Sequence, residues 1–466
     1  LIGAEQRVAL GDLLEGSALA SGADNLRGRS VLIGAADPFL GALALIELDG
    51  LARRMTLYPP DLALEHLPYV MRCADVDAVV SDGRFFSGAS IGAAQHAICT
   101  PALVPRVHSS KERLRTEWIL LTSGTTGRPK MVLHTLASLA GAIDAPSPPP
   151  LSPPGERGRG EGEVIWSTFY DIRRYGGLQI YLRAVLTRSS LLLTGPPPLP
   201  SPPGGEGRVR EPLADFLQRA GEAGVTHISG TPSHWRRALM SPAADCIAPR
   251  YIRLSGEIAD QGILNSLRSF YPDAEISHAF ATTEAGVTFD VRDGLSGFPA
   301  SMLTGTSGID MKVVDATLRV RSSRTAQRYL GEDPPTLHDA EGFVDTGDVL
   351  ELREGRYHFQ GRRDGVINVG GLKVHPEEVE AVLNRHPQVR LSLVKTKKNP
   401  ITGALVVADV VLKAPSPPEG EQAGELQKSI RQFCRESLAP HKVPAALSFV
   451  PALAISETGK LVRRHG

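Results

Sequence analysis

From Ser30 onward, short apolar runs alternate with longer amphipathic stretches, and no other feature limits the possible folds as tightly. Val31-Leu32-Ile33 leads into a helix-like stretch ending at Leu51. Met55-Thr56-Leu57, a helix-like segment from Ala63 to Cys73, and Ala78-Val79-Val80 follow. Parallel neighbours need a long return path between strands, so this alternation predicts a parallel sheet with crossover helices. It continues through Trp118-Ile119-Leu120-Leu121, Val164-Ile165-Trp166, Leu191-Leu192-Leu193, His227-Ile228 and Ile252-Arg253-Leu254. Beyond about residue 308 the texture changes to short alternating strands, including Met311-Lys312-Val313-Val314, Leu318-Arg319-Val320 and Val349-Leu350-Glu351-Leu352. A β-rich subdomain over about 308–361 is expected there. After Gly361 the pattern predicts a compact α+β tail, with Pro376 starting a helix, Glu377 to Asn384 forming its body, and a second helix from roughly Glu425 to Ser437.

A chain of 466 residues exceeds one ordinary core and implies two or more domains of enzyme size. Its 51 lysines and arginines balance 51 aspartates and glutamates, so no global field attracts nucleic acid, and any anion site must be local. Cys73, Cys99, Cys246 and Cys434 form neither a redox nor a zinc spacing, which fits a reducing cytoplasm. Asp37, Glu47 and Asp49 interrupt the most apolar early stretch, which therefore reads as buried strand and helix, not a membrane span. Because the chain opens on Leu1, a preceding targeting segment stays an open question. Three segments, 145–163, 195–211 and 414–424, share a vocabulary of Ser-Pro-Pro, Gly-Glu and Gly-Arg. They have too little apolar area to offset ordering entropy, so they read as inserted surface loops whose deletion is expected to leave activity intact.

The string Leu121-Thr122-Ser123-Gly124-Thr125-Thr126-Gly127-Arg128-Pro129-Lys130 follows an apolar run. Glycines allow close backbone approach to an anion, Thr122, Ser123, Thr125 and Thr126 offer hydroxyl donors, and Arg128 and Lys130 add charge. This is a cradle for phosphate, placed where open α/β sheets gather ligands. Arg128 and Pro129 separate Gly127 from Lys130, and Met131 follows it, so the spacing is not that of a Walker loop.

The string closely resembles the phosphate-binding signature of the adenylate-forming superfamily, which comprises acyl-CoA synthetases, luciferases and peptide-synthetase adenylation domains. Further motifs in that family's order support the resemblance. His278-Ala279-Phe280-Ala281-Thr282-Thr283-Glu284 resembles its Tyr-Gly-x-Thr-Glu motif. By that likeness Phe280 would stack on adenine, Thr283 would bond the α-phosphate, and Glu284 would hold Mg²⁺. Phe280 and Ala281 depart from the usual Tyr and Gly. Ser255-Gly256-Glu257 occupies the place of the segment lining the adenine and acyl pockets, although a strand-to-helix turn explains Ser255 and Gly256 almost as well.

Phe343-Val344-Asp345-Thr346-Gly347-Asp348 resembles the family's Tyr-Arg-Thr-Gly-Asp, in which the last Asp takes both ribose hydroxyls. Asp345 stands where the family has Arg. In the segment from Gly361 to Glu380, which resembles the interdomain joint, Arg362 would also reach the ribose and Asp364 would be the hinge. Gly370 and Gly371 would line the channel for a pantetheine arm, with a plain β-turn as the rival explanation. Ile455-Ser456-Glu457-Thr458-Gly459-Lys460 resembles the C-terminal motif carrying the catalytic lysine. Near the acyl pocket, Arg173 or Arg174 could meet a polar group of the acid. Two solvated arginines at a helix start are the plainer reading.

The resemblance implies an α/β fold: a large N-terminal AMP-binding domain of stacked α/β sheets over 1–361, and a small mobile α+β lid over 362–466. It implies an AMP-forming acid:CoA ligase using ATP and Mg²⁺, with CoA as co-substrate, a small carboxylic acid as substrate, and a monomer or homodimer. Two other readings stay open. One is a stand-alone adenylation protein that loads an acyl-carrier protein; the other is a degenerate member that binds nucleotide without turnover.

Overall fold

The computed structural model describes residues 1–4, 6–20, 22–86, 94–106, 112–122, 128–143, 163–193, 213–305, 308–369, 371–399, 403–413 and 420–453. An eight-stranded sheet runs in the order Gly16–Leu19, Gln95–Pro105, Ala78–Ser81, Ser30–Gly34, Arg54–Leu57, Glu117–Thr122, Lys130–Thr135, Arg328–Leu330. The five strands from Gln95–Pro105 to Glu117–Thr122 are parallel, and antiparallel strands close both edges. Both faces of the sheet are covered, which is why its strands read as unbroken apolar runs. Val31, Ile33, Met55, Leu57, Trp118 and Leu120 face the helices Pro38–Leu48 and Tyr175–Leu186. Leu32, Val79, Ile119 and Leu121 face Leu67, Val70, Phe85 and Phe86. The helix Pro38–Leu48 starts where Asp37 accepts from the Phe39 N–H at 2.8 Å and Pro38 occupies the first helical position, and it ends short of the expected Leu51.

A second sheet of six strands orders as Gly286–Val291, Glu275–Thr282, Tyr251–Leu254, His227–Gly230, Ile165–Thr168, Ser190–Leu191. Its strands are parallel apart from the Gly286–Val291 edge. The helices Leu213–Glu222, Pro232–Ala238 and Gln261–Phe270 bury Phe216, Trp235 and Leu267 with Ile228, Ile252 and Leu254 of this sheet. An antiparallel five-stranded sheet joins Phe298–Pro299, Arg356–Arg362, Val344–Arg353, Thr317–Ser322 and Ile309–Val314. This is the expected β-rich region, except that Arg328–Leu330 leaves it to pair with Lys130–Thr135.

Toward the C-terminus, the helix Pro376–Leu383 and a three-stranded sheet of Val389–Asn399, Gly403–Leu412 and Ala446–Phe449 enclose a separate core with Val379, Val394, Val410 and Ile430. The last helix spans Gly420–Ser437, so residues 420–424 belong to a helix and not to the inserted loop read from composition. Glu421, Glu425 and Gln427 are acceptable helix residues, and burying Ile430 and Cys434 against the tail's core outweighs the local Gly content. The insert residues 145–162, 195–211 and 414–419 lie outside the described residues. Among the described residues no helix is long and apolar enough to cross a membrane.

Candidate active site

The strands Glu117–Thr122 and Lys130–Thr135 pair antiparallel with Thr122 opposite Lys130, so the two residues that flank the Gly/Ser/Thr run face each other across the sheet. Ser123, Gly124, Thr125, Thr126 and Gly127 themselves lie outside the described residues. Arg174 braces the entry to this loop. Its Nη1 donates to the Leu121 carbonyl at 2.6 Å, while Nε and Nη2 grip Asp61 at 3.1 and 2.5 Å. The two cations of the loop have different fates. Arg128 pairs with Glu332 at 3.1 Å, whereas no described carboxylate pairs with Lys130, whose Nζ sits 5.7 Å from the Tyr329 ring centre.

Alternate residues of a strand share a face, so Lys130, Val132 and His134 project together. That face meets the Thr283-Glu284 turn. His134 is buried, and its Nε2–H donates to the Thr283 carbonyl at 2.7 Å while Nδ1 faces the Ser138 hydroxyl at 2.9 Å. Burial pushes its imidazole down to about 4, so it is neutral near pH 7. Tyr329 donates its hydroxyl to Glu284 Oε1 at 3.1 Å, and the Glu284 carbonyl accepts from Ala326 N–H at 2.9 Å. Burial and the adjoining Glu284 charge raise the Tyr329 phenol above its ordinary range, against an opposing pull from Arg362. Lys130 and Glu284, far apart in sequence, therefore both lie against one phenol.

No cluster of three or more His, Cys, Asp or Glu suited to a metal occurs among the described residues. The second oxygen of Glu284 takes no hydrogen bond among them. A single hard carboxylate with a free oxygen fits magnesium that arrives with nucleotide phosphates, and does not fit a resident ion.

Phe280 is stacked between two rings, Phe359 at 4.8 Å and 14°, and Phe289 at 5.6 Å and 24°. Its aromatic character thus serves the core of the β-rich region. Ala281 lies in a strand, not a turn, directly at a register shift after Phe280. Gly256 adopts φ +80°, a conformation that favours glycine, and Tyr170 donates its hydroxyl to the Ser255 carbonyl at 2.6 Å. The turn reading and the pocket-lining reading of Ser255-Gly256 are therefore compatible.

Asp348 stands directly opposite Arg362 across the antiparallel pair Val344–Arg353 and Arg356–Arg362. Between them Gly347 takes φ +71°, and a Cβ there would meet the Arg362 guanidinium at 3.4 Å. Asp345 replaces the family's Arg and finds a partner in the joint itself, Arg363 at 3.0 Å, with Arg319 at 3.8 Å. Asp364 is exposed in the single 3-10 turn Arg363–Gly365. Val369 pairs with Leu372 in a short hairpin, and Gly371 takes φ +88° while donating its N–H to Asn368 at 2.9 Å. The turn alone accounts for this glycine. Gly370 and Lys460 lie outside the described residues.

Arg173 and Arg174 correct an expectation, because neither is solvated. Arg173 is 1 % exposed, bonds Asp171 through Nε at 2.8 Å and Nη2 at 2.6 Å, and donates to the Ala35 carbonyl. Burial pushes the Asp171 carboxyl up, but the Arg173 guanidinium outweighs it and leaves it below its usual range. Arg174 is spent on Asp61 and Leu121. Polar residues in a buried strand-to-helix connection are tolerated when they satisfy one another, which composition alone does not reveal. Tyr329 and His134 escaped the sequence reading. Tyr329 lies in a three-residue strand without periodicity, and the apolar run Met131-Val132-Leu133 disguised His134 as core.

Residues 378–460 match the AMP-binding enzyme C-terminal domain family. The chain is 27% identical to the 2-succinylbenzoate–CoA ligase of Salmonella typhimurium over 354 residues, 74% of this chain and 67% of that protein. It is 31% identical to the mitochondrial acyl-coenzyme A synthetase ACSM2 of Rattus norvegicus over 371 residues, 74% of this chain and 60% of that protein. The fold is similar to E. coli MenE with bound OSB-AMS, with TM-score 0.70 and 20% identity over 91% of this chain and 85% of that one. It is similar also to a benzoate CoA ligase from Burkholderia xenovorans, with TM-score 0.73 and 19% identity over 94% and 90% of the two chains. The α/β fold with a small C-terminal unit is thus that of AMP-binding enzymes. Residues 378–460 are thus identified with the AMP-binding enzyme C-terminal domain, and the chain as a whole is similar in sequence to acyl-CoA synthetases and CoA ligases.

Proposed function

We propose that the chain is an AMP-forming acid:CoA ligase, which activates a carboxylic acid with ATP and passes the acyl group to the thiol of CoA. The observation that carries this reading is the meeting at Tyr329 of Lys130 and Glu284, taken from two separate motifs. Chance placement of family-like strings would scatter them. The names of the relatives, several of them CoA ligases, favour the same chemistry.

In this reading the acid's carboxylate attacks the α-phosphorus of ATP and pyrophosphate leaves. Lys130 and the loop residues 122–127 hold the departing oxygens, and Thr283, fixed through its backbone by His134, bonds the α-phosphate. Asp348 accepts from the ribose hydroxyls beside Arg362. Glu284 would hold magnesium, which offsets phosphate charge when bound. Lys460 would neutralise charge building between carboxylate and phosphate. The unit beyond Arg362 would then turn about Asp364 so that the Gly370-Gly371 hairpin guides the CoA thiol to the acyl-adenylate. Domain limits at 361 and 362 belong to the same proposal.

The test is a panel of carboxylic acids incubated with ATP and Mg²⁺, with and without CoA. The reading expects AMP and acyl-CoA when CoA is present. Acyl-adenylate release that is indifferent to CoA would favour carrier-protein loading instead. Folded protein that turns over no acid would favour nucleotide binding without catalysis.

A further inference from the structure

We propose that Tyr329 is a positioning residue that keeps the two opposite charges of the phosphate site apart, holding Glu284 with its hydroxyl and Lys130 over its ring. The inference rests on the ATP-and-magnesium reading above. Tyr329 lies opposite Val132 on the edge strand Arg328–Leu330, which puts its ring on the face of Lys130–Thr135 that also carries Lys130. Its hydroxyl meets Glu284 Oε1 at 3.1 Å, and Lys130 Nζ stands 5.7 Å from its ring centre.

The chemistry of that choice matters. A lysine and a glutamate drawn to one locus attract each other, and pairing would cancel the cation meant for phosphate and the carboxylate meant for the metal. A phenol separates them without neutralising either. Its O–H fixes one carboxylate oxygen and leaves the other to coordinate, while the electron-rich ring face attracts the ammonium and adds no negative charge. An Arg or Lys at this position would compete with the metal for Glu284, and an Asp or Glu would compete with phosphate for Lys130. The inferred role therefore depends on two separable parts of the side chain, the hydroxyl and the ring.

Tyr329→Phe and Tyr329→Leu separate them. ATP affinity is measured by calorimetry with and without Mg²⁺, and Mn²⁺ binding to the enzyme–ATP complex by electron paramagnetic resonance. Tyr329→Phe is expected to weaken Mn²⁺ binding about tenfold, the scale of a lost hydrogen bond to a charged group, while leaving metal-free ATP affinity at the wild-type value. Tyr329→Leu is expected to weaken metal-free ATP binding too, because Lys130 then closes on Glu284. Tyr329→Phe with wild-type Mn²⁺ affinity would overturn the inference and leave the ligase reading standing. Equal loss of both affinities in Tyr329→Phe, with a lowered unfolding midpoint, would show a merely structural tyrosine. Wild-type protein that binds no ATP would remove the ligase reading and this inference together.

Discussion

Asp348 and Arg362 face each other across two hydrogen-bonded strands, with Gly347 in a left-handed conformation clearing space beside the guanidinium. An acceptor and a donor fixed at one register position would suit the ribose diol of the proposed reaction, because their separation is set by the sheet and not by flexible loops.

Asp348→Ala is therefore expected to weaken ATP binding by roughly ten- to a hundredfold, the effect of losing charge-assisted hydrogen bonds. Arg362→Ala should cost less, and the double variant less than the product of the two, since in the proposed reaction one ribose serves both. Calorimetric titration of ATP into each variant checks this; additive losses would separate the two residues.

Arg173→Met leaves Asp171 charged and buried, with an expected loss of about 3–5 kcal/mol in urea unfolding. Arg174→Ala should instead raise the KM for ATP through the loosened Leu121 carbonyl and leave acid preference unchanged. A changed order of preferred acids in Arg174→Ala would show that this side chain meets the substrate.

His234 is held neutral, since burial depresses it to about 3 and its Nδ1 accepts from the Thr231 N–H at 3.1 Å. Its folded value lies below its unfolded one. Stability from this group is thus fully present above the unfolded value near 6.5 and declines as pH falls toward 3. His234→Asn keeps an acceptor for Thr231 and removes the titration. Between about pH 6 and 4 its unfolding free energy should fall less steeply than wild type, by about 1.4 kcal/mol per pH unit. Parallel slopes would contradict the assignment.

The parallel strands and their order along the chain were legible because both faces of each strand are buried, leaving uninterrupted apolar runs such as Trp118 to Leu121. The site motifs were legible as strings, and the pairing of Asp348 with Arg362 followed from no local signal. It comes from strand register, which depends on the whole sheet. Asp345 had no meaning in sequence because its partners approach from elsewhere, Arg363 from the turn Arg363–Gly365 and Arg319 from the strand Thr317–Ser322. The arginines at 173 and 174 looked solvated because charge is usually exposed. Only the fold reveals that Asp171 and Asp61 wait beside them.

Adenylate formation is the central step, and acid-dependent exchange of pyrophosphate into ATP measures it without CoA. Wild-type protein should exchange with at least one acid of a broad panel, and Lys460→Ala or Asp348→Ala should reduce that exchange by more than about tenfold while remaining folded. Folded wild-type protein that exchanges with none of them, or exchange untouched in both variants, would contradict it.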